Sequence, residues 1–283
     1  MPYLELEAGF RLYYESHGEG PAVLFAHGAG GNAISWWQQV PAFRDRYRVI
    51  TFDHRAFGRS ADIEGGPGRT AFGADAVALL DHLEVTSVHV VAHSMGARTA
   101  MALMRHDEGR IRSLTLSGSN AGCVDDRLRA RKAELEAEGI LSGSLLSRAL
   151  AADFAERAPE LAHLYRQVRA VNPPRPSDFL APSPEMRNYR GSTAGRINDS
   201  GVPVLWVVGQ HDRVVPAELV RISHELTPAS RYVEITGAGH SAYFERAGAW
   251  NATVRSFLDG VEEGRAATTA DDGAEKAGTW TSS

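Results

Sequence analysis

An α/β fold, with a mostly parallel eight-stranded sheet and helices on both faces, is predicted from three observations. Eight short apolar runs are bounded by turn residues, as strands are. Helical patterns separate most of these runs, and strands that alternate with helices form parallel sheets covered on both faces. The 283 residues, 43% of them hydrophobic, suffice for one large domain of this class.

The elements are predicted in order along the chain. Two alternating runs around Ala8 and Gly9 indicate an antiparallel hairpin at the start. The predicted strands cover residues 3–7, 11–16, 22–26, 47–53, 88–93, 111–117, 202–209 and 231–236. Helices are predicted near residues 34–42, 70–83, 97–103, 217–226 and 243–258.

The chain is predicted to divide into a core, an insert and a tail. The core covers residues 1–120 and 201–260. Residues 121–200 interrupt the strand pattern with helical stretches near 125–138, 145–156 and 159–171, which predicts an inserted helical domain. Residues 261–283 are rich in Ala, Gly, Thr and Asp, so we expect a disordered tail that cannot bury enough apolar surface to offset its ordering entropy.

Ser94 lies where a predicted strand turns into a predicted helix. This is the context of a nucleophile elbow, in which a sharp turn strains the backbone and lifts the serine hydroxyl off the sheet. Side chains two residues before and after the serine would collide in such a turn. Ala92 and Gly96 are small enough for these positions, although the usual pattern has Gly at the first.

Asp212 and His240 each follow a predicted strand, as Ser94 does. Loops at the carboxyl edge of a parallel sheet converge on one crevice, so we expect the three side chains to meet there. A serine hydroxyl needs a base to take its proton, and the base needs an acid to orient it. The sequence therefore predicts Ser94 as nucleophile, His240 as base and Asp212 as the orienting acid.

The loop after the third predicted strand reads His-Gly-Ala-Gly-Gly over residues 27–31. Acyl transfer through a tetrahedral intermediate needs two backbone N–H groups aimed at the negative oxygen. We expect one from Met95, which follows the nucleophile, and the other from Ala29. The glycines beside Ala29 let the backbone approach a substrate closely, so Gly28 is also a candidate binding residue.

Five motifs in order resemble the α/β-hydrolase-fold family, over about residues 3–120 and 200–260. They are residues 27–30, 53–60, 92–96, 209–212 and 239–240, with Ala56 in place of one family glycine. The order Ser, Asp, His is also the family's order. Within the family the chain is most similar to enol-lactone hydrolases, small esterases and carbon–carbon bond hydrolases. Epoxide hydrolases and haloalkane dehalogenases carry an Asp nucleophile, and Ser94 argues against both.

The resemblance implies that the insert is a cap over the crevice, which would exclude water and shape the substrate pocket. His93, Trp36 and Trp37 are further candidates for substrate binding, although packing is the ordinary role of such side chains. Asp53 and Arg55 are predicted to form a structural ion pair or turn network.

Composition argues against several other classes of protein. The net charge is −5 and the arginines form no basic stripe, so no nucleic-acid partner is expected. There is one cysteine, and no Cys/His spacing suggests a metal. No signal peptide or apolar span is apparent, so we expect a cytoplasmic protein with no membrane partner. A small-molecule substrate, no cofactor or metal, and a monomer or homodimer are expected.

The predicted function is hydrolysis of a small-molecule carboxylic ester or lactone by a Ser-His-Asp acyl-enzyme mechanism. Hydrolysis of a carbon–carbon bond in a diketone-like substrate is an alternative, because the same triad serves there. The resemblance also leaves open a lyase, isomerase or cyclase of a biosynthetic pathway, or a ligand-sensing receptor, since a fold does not fix a function.

Overall fold

The computed structural model describes residues 2–7, 9–175, 179, 181 and 191–277. Its strands are β1 (Tyr3–Glu7), β2 (Phe10–His17), β3 (Ala22–Ala26), β4 (Arg48–Phe52), β5 (Val88–His93), β6 (Ile111–Ser117), β7 (Val204–Gly209) and β8 (Arg231–Ile235). They form one eight-stranded sheet in the order β1-β2-β4-β3-β5-β6-β7-β8. The first two strands join antiparallel, and β4, β3, β5, β6, β7 and β8 are mutually parallel. The predicted mostly parallel sheet is confirmed.

The helices lie between the strands and after them. Those of the core are α1 (Gln39–Phe43), α2 (Phe72–His82), α3 (Gly96–His106), α9 (Ala217–Glu225), α10 (Ala242–Glu245) and α11 (Ala247–Ala277). Those of the insert are α4 (Asp126–Ala137), α5 (Leu145–Arg148), α6 (Phe154–Arg157), α7 (Pro159–Ala170) and α8 (Thr193–Ser200). Along the part of the chain that the structure describes, none is both long and apolar enough to cross a membrane.

Both faces of the sheet are covered because the central strands are apolar on both sides. In β3, Leu24 belongs to one buried cluster, which α2, α3 and α9 complete, whereas Val23 and Phe25 belong to the other, which α1 and α11 complete. This alternation follows from the two-residue period of a strand. The sheet is thereby fixed between two cores, and its carboxyl edge is left to carry the loops.

The insert packs on the core through several of its helices. Leu128 and Leu135 of α4 contact Leu219 of α9, and Phe154 and Tyr165 join the cluster around α11. The helix predicted over residues 145–156 is two short helices, α5 and α6. Between them the backbone N–H of residue 151 donates to a core carboxylate at 2.9 Å instead of continuing a helix.

The final helix differs from the disordered tail expected after residue 260. α11 continues to Ala277, and residues 278–283 lie outside the described part of the chain. Glu262 fixes this helix to the sheet, because its carboxylate accepts from Arg112 at 2.6 Å and contacts His89 at 3.1 Å. Extending an existing helix through alanine-rich sequence is far easier than starting one, which explains the continuation.

Candidate active site

Ser94 occupies the predicted sharp turn between β5 and α3. Its φ is +51°, a left-handed conformation that a residue with a side chain adopts only under constraint. Its N–H donates to the Ser117 carbonyl of β6 at 2.8 Å, which holds the turn on the sheet. A Cβ on Gly96 would lie 2.2 Å from the carbonyl oxygen of Ala26, so the position two residues after the serine must be glycine. The elbow is therefore built as the sequence predicts.

Asp212 and His240 are hydrogen-bonded to each other at the same edge. His240 Nδ1 lies 2.8 Å from Asp212 Oδ2, and both side chains are almost fully buried. The other carboxylate oxygen, Oδ1, accepts from the backbone N–H groups of Val214 at 2.7 Å and Val215 at 2.9 Å. Because the carboxylate of Asp212 can only accept, Nδ1–H of His240 donates to Oδ2, and the other ring nitrogen, Nε2, is left as the proton acceptor.

Ser94 and His240 line one narrow cavity of about 50 Å³. The loop of residues 28–31 forms another part of its wall, and the insert supplies the side opposite. The volume is enough for several water molecules or a small acyl group. The structure thus brings the predicted nucleophile, base and backbone donor loop to a single space, which the separate motifs of the sequence only suggest.

The loop of residues 28–31 is a tight turn pressed against the elbow. The Gly31 N–H donates to the Gly28 carbonyl at 2.9 Å, and a Cβ on Gly28 would lie 3.3 Å from the Cβ of Ser94. Within the described ranges, the backbone N–H groups of Ala29 and Met95 donate to no protein acceptor. Two free donors beside a serine hydroxyl are the arrangement that an oxyanion requires.

His27 is hydrogen-bonded to the backbone of this turn. Its Nε2 accepts from the N–H of His54 at 2.9 Å, so its Nδ1 carries the proton and donates to the Gly28 carbonyl at 2.8 Å. Burial lowers the pKa of His27 to about 3, so the ring is neutral. The role of His27 is to shape the turn.

His93 lines the cavity and packs beside the predicted base. Its ring centroid lies 4.7 Å from that of His240 and 4.8 Å from that of Tyr243. Burial, and to a lesser extent the nearby His240, hold its pKa well below the usual value. A neutral His93 adds no charge to the cavity wall.

A family model described as alpha/beta hydrolase fold matches residues 21–247. The chain belongs to this family. Its relatives include a protein of Azorhizobium caulinodans provisionally named carbamate hydrolase RutD, 28% identical over 266 residues, which are 89% of this chain and 96% of that protein. The 3-oxoadipate enol-lactonase 2 of Acinetobacter baylyi is 26% identical over 256 residues, which are 87% of this chain and 92% of that protein.

Solved structures agree with this placement. The enol-lactonase from Burkholderia xenovorans superposes with a TM-score of 0.68 and 25% identity, over 91% of this chain and 100% of that one. The family match and these relatives support hydrolase activity, so the chain is an enzyme of the α/β hydrolase family.

The tryptophans of this α/β hydrolase do not occupy the position expected of substrate-binding residues. Among the described residues that line the cavity, neither Trp36 nor Trp37 is present. Trp36 is fully buried, with its ring centroid 5.0 Å from that of Phe25 and 6.1 Å from that of Trp250. Trp37 is 42% exposed at the surface. The orientation of Trp36 follows from core packing against Trp250 of α11.

The pair expected between Asp53 and Arg55 also differs in the structure. Asp53 forms the turn network, since it accepts from the N–H groups of Ala33 at 2.6 Å and Arg59 at 2.7 Å. Arg55 turns away from it and pairs with Asp75 of α2. Both oxygens of Asp53 accept from backbone donors, and the guanidinium that approaches it is that of Arg59, whose Nε lies 3.6 Å from Oδ2.

Sequence reasoning missed four residues near the site: Tyr165, Arg169, Tyr243 and Glu245. Tyr165 and Arg169 of α7 line the cavity, and the Tyr165 hydroxyl lies 2.8 Å from the Ser241 hydroxyl beside the base. Their four-residue spacing predicts a shared helix face. What that face contacts depends on how the insert docks, which the spacing does not contain.

Proposed function

We propose that this α/β hydrolase is a cofactor-independent serine hydrolase of a small-molecule carboxylic ester or lactone. The observation that carries the proposal is the 2.8 Å bond between Asp212 and His240 in a cavity that also contains Ser94. A nucleophile, a base in reach of it and a third group that orients the base are the signature of covalent acyl transfer. Relatives named as enol-lactonases support the choice of ester and lactone substrates.

The proposed reaction has two halves. Nε2 of His240 takes the proton of Ser94 as the hydroxyl oxygen attacks the carbonyl carbon, and the N–H groups of Ala29 and Met95 bind the oxyanion. His240 then gives this proton to the leaving alcohol, and the acyl-enzyme remains. Water, deprotonated by His240, attacks the acyl-enzyme, and His240 returns the proton to the Ser94 oxygen as the bond to the acyl group breaks and the acid is released. Asp212 stabilises the imidazolium formed in each half.

The Ser94→Ala variant tests the proposal. Short-chain p-nitrophenyl esters should show burst release with the natural protein, and kcat should fall by on the order of 10⁴–10⁶-fold in the variant. A fluorophosphonate should label Ser94, with the labelled peptide identified by mass spectrometry. Ser119→Ala is the matched control, because this buried serine after β6 accepts from the Ala121 N–H at 3.0 Å and is not among the described residues that line the cavity.

A second variant distinguishes the other reactions of the fold. If turnover of a true substrate survives Ser94→Ala but is abolished by His240→Ala, the acyl-enzyme is wrong and a non-hydrolytic lyase or isomerase reaction is indicated. Stoichiometric binding with negligible turnover would indicate a receptor instead.

A further inference from the structure

We propose that Arg169 makes the cavity a site for anionic substrates, in which the guanidinium binds a carboxylate close to the reacting carbonyl. This inference rests on the proposed function, because it names the chemical class of ester or lactone that the same site takes.

Arg169 lies directly on the turn that carries the predicted oxyanion donor. A Cβ on Gly30 would lie 1.5 Å from its Nη1 atom, so the guanidinium occupies the space that the missing side chain leaves open. At the other end of the same turn, a Cβ on Gly28 would touch Ser94. Arg169 and Ser94 therefore contact the two ends of one short turn, and both line the same cavity.

The charge of Arg169 is not neutralised by the protein. Across the residues that the structure describes, it forms no ion pair, and its neighbour on α7 is the neutral hydroxyl of Tyr165. Two buried carboxylates near the site have other partners: Asp212 binds His240, and Glu245 binds two backbone N–H groups and Arg157. A half-buried guanidinium without a counter-ion is costly, and a ligand carboxylate would relieve that cost.

A second guanidinium adds to the positive potential. Arg175 lies over the ring of Phe57 at 3.9 Å and donates to the Ala56 carbonyl at 3.0 Å. Its pKa is lowered first by burial and then by the charge of Arg169. A second cation on the segment that follows α7 adds to the positive potential that attracts an anion.

Other arginines of the insert show what a structural arginine looks like here. Arg131 pairs with Glu134, Glu138 and Glu218, and Arg157 pairs with Asp153. Each of these guanidinium groups thus has carboxylate partners within the protein. Arg169 differs because its guanidinium points into the cavity, where a bidentate carboxylate fits its planar fork.

The test compares two isosteric esters, monomethyl glutarate and its neutral amide analogue, methyl 4-carbamoylbutanoate. The natural protein should have a higher kcat/KM for the acid than for the amide. Arg169→Met should lower kcat/KM for the acid by about 10–100-fold and change that for the amide little. Arg169→Lys should restore part of the preference, because a point charge remains. Arg166→Met, an exposed arginine on the same helix, is the control and should change neither substrate.

Glutarate binding, measured by calorimetry, tests the inference independently of turnover. Binding to the natural protein and to Ser94→Ala, but not to Arg169→Met, supports it. Equal kcat/KM for the two esters, an equal loss for both in Arg169→Met, or no difference in glutarate binding between the natural protein and Arg169→Met overturns it. Failure of the proposed function has a different signature, since then neither ester is hydrolysed and a fluorophosphonate does not label Ser94.

Discussion

Two buried carboxylates of this hydrolase, Asp75 and Asp212, each bind a basic side chain. The two basic side chains differ in whether protein partners occupy their remaining polar atoms. Asp75 accepts two hydrogen bonds from Arg55, Nε to Oδ2 at 3.0 Å and Nη2 to Oδ1 at 2.8 Å. The remaining Nη1 of Arg55 binds Glu7 and Asp62. Burial alone would lower the pKa of Arg55, but these hydrogen bonds outweigh it and raise the pKa. Every polar edge of this guanidinium is therefore occupied by protein.

In the Asp212–His240 pair, the carboxylate has all its partners within the protein, but the imidazole does not. Asp212 is saturated by His240 and two backbone N–H groups, but within the described structure Nε2 of His240 has no protein partner. That nitrogen belongs to a residue of the cavity wall that also holds Ser94. A pair whose polar atoms are all satisfied by protein stabilises the fold, whereas a pair with one atom left for a substrate is equipped for chemistry.

Of the variants that distinguish the two pairs, Asp212→Asn should cause the largest change, a loss of activity. Because Oδ1 already accepts two backbone N–H groups, the new amide nitrogen would face His240 Nδ1 and force the ring proton onto Nε2. We expect kcat for an ester to fall by about 10⁴-fold. Steady-state kinetics measures the fall in kcat, and a melting curve shows whether the variant is folded. Activity within tenfold of the natural protein would show that Asp212 only caps its loop.

Arg55→Met should have the opposite effect. It leaves Asp75 buried without its counter-ion, which costs about 3–5 kcal/mol of unfolding free energy. The kcat/KM of the folded protein should stay unchanged, since neither residue is among those that line the cavity. Urea unfolding measures the stability, and the double variant Arg55→Met with Asp75→Leu should recover much of the loss. A kinetic defect at full stability would contradict the distinction between the two pairs.

Glu245 is a third buried carboxylate, and its position links the insert to the loop of the predicted base. It is buried, and it accepts from the N–H of Ala151 in the insert and of Gly239 beside the base, each at 2.9 Å. Burial raises its pKa to about 7, although both N–H donors act in the opposite direction. Between pH 4.5 and about 7 the folded protein keeps the Glu245 proton, whereas the unfolded chain releases it near the ordinary pKa of 4.5. The contribution of this proton to the unfolding free energy is fully present below pH 4.5 and is lost as the pH rises through about 7.

Glu245→Gln removes this titration and should give the smallest change. The unfolding free energy of the natural protein should fall relative to the variant by on the order of 1–3 kcal/mol between about pH 5 and about pH 8. Urea unfolding at several pH values measures the difference. The exposed Glu160→Gln on α7 is the control and should give a curve parallel to the natural one. Parallel curves for Glu245→Gln as well would refute the assignment.

Local patterns were enough to predict most of the fold. The eight strands and the elbow follow from two-residue alternation, from turn residues and from the small residues around Ser94, all of which act over a few neighbouring positions. The convergence of Ser94, Asp212 and His240 also follows from sequence. Parallel strands must end at one edge, so three residues that follow three strands have to approach each other.

Sequence patterns thus suffice for the sheet, the order of its elements and the chain positions of the predicted nucleophile, base and acid. Three-dimensional packing alone reveals that Arg55 pairs with Asp75, that Trp36 packs away from the cavity, and that Arg169 contacts Gly30. Periodicity states which face of a helix is buried, but not which distant residue meets it. That choice depends on how whole elements pack together, and no short segment of the chain contains it.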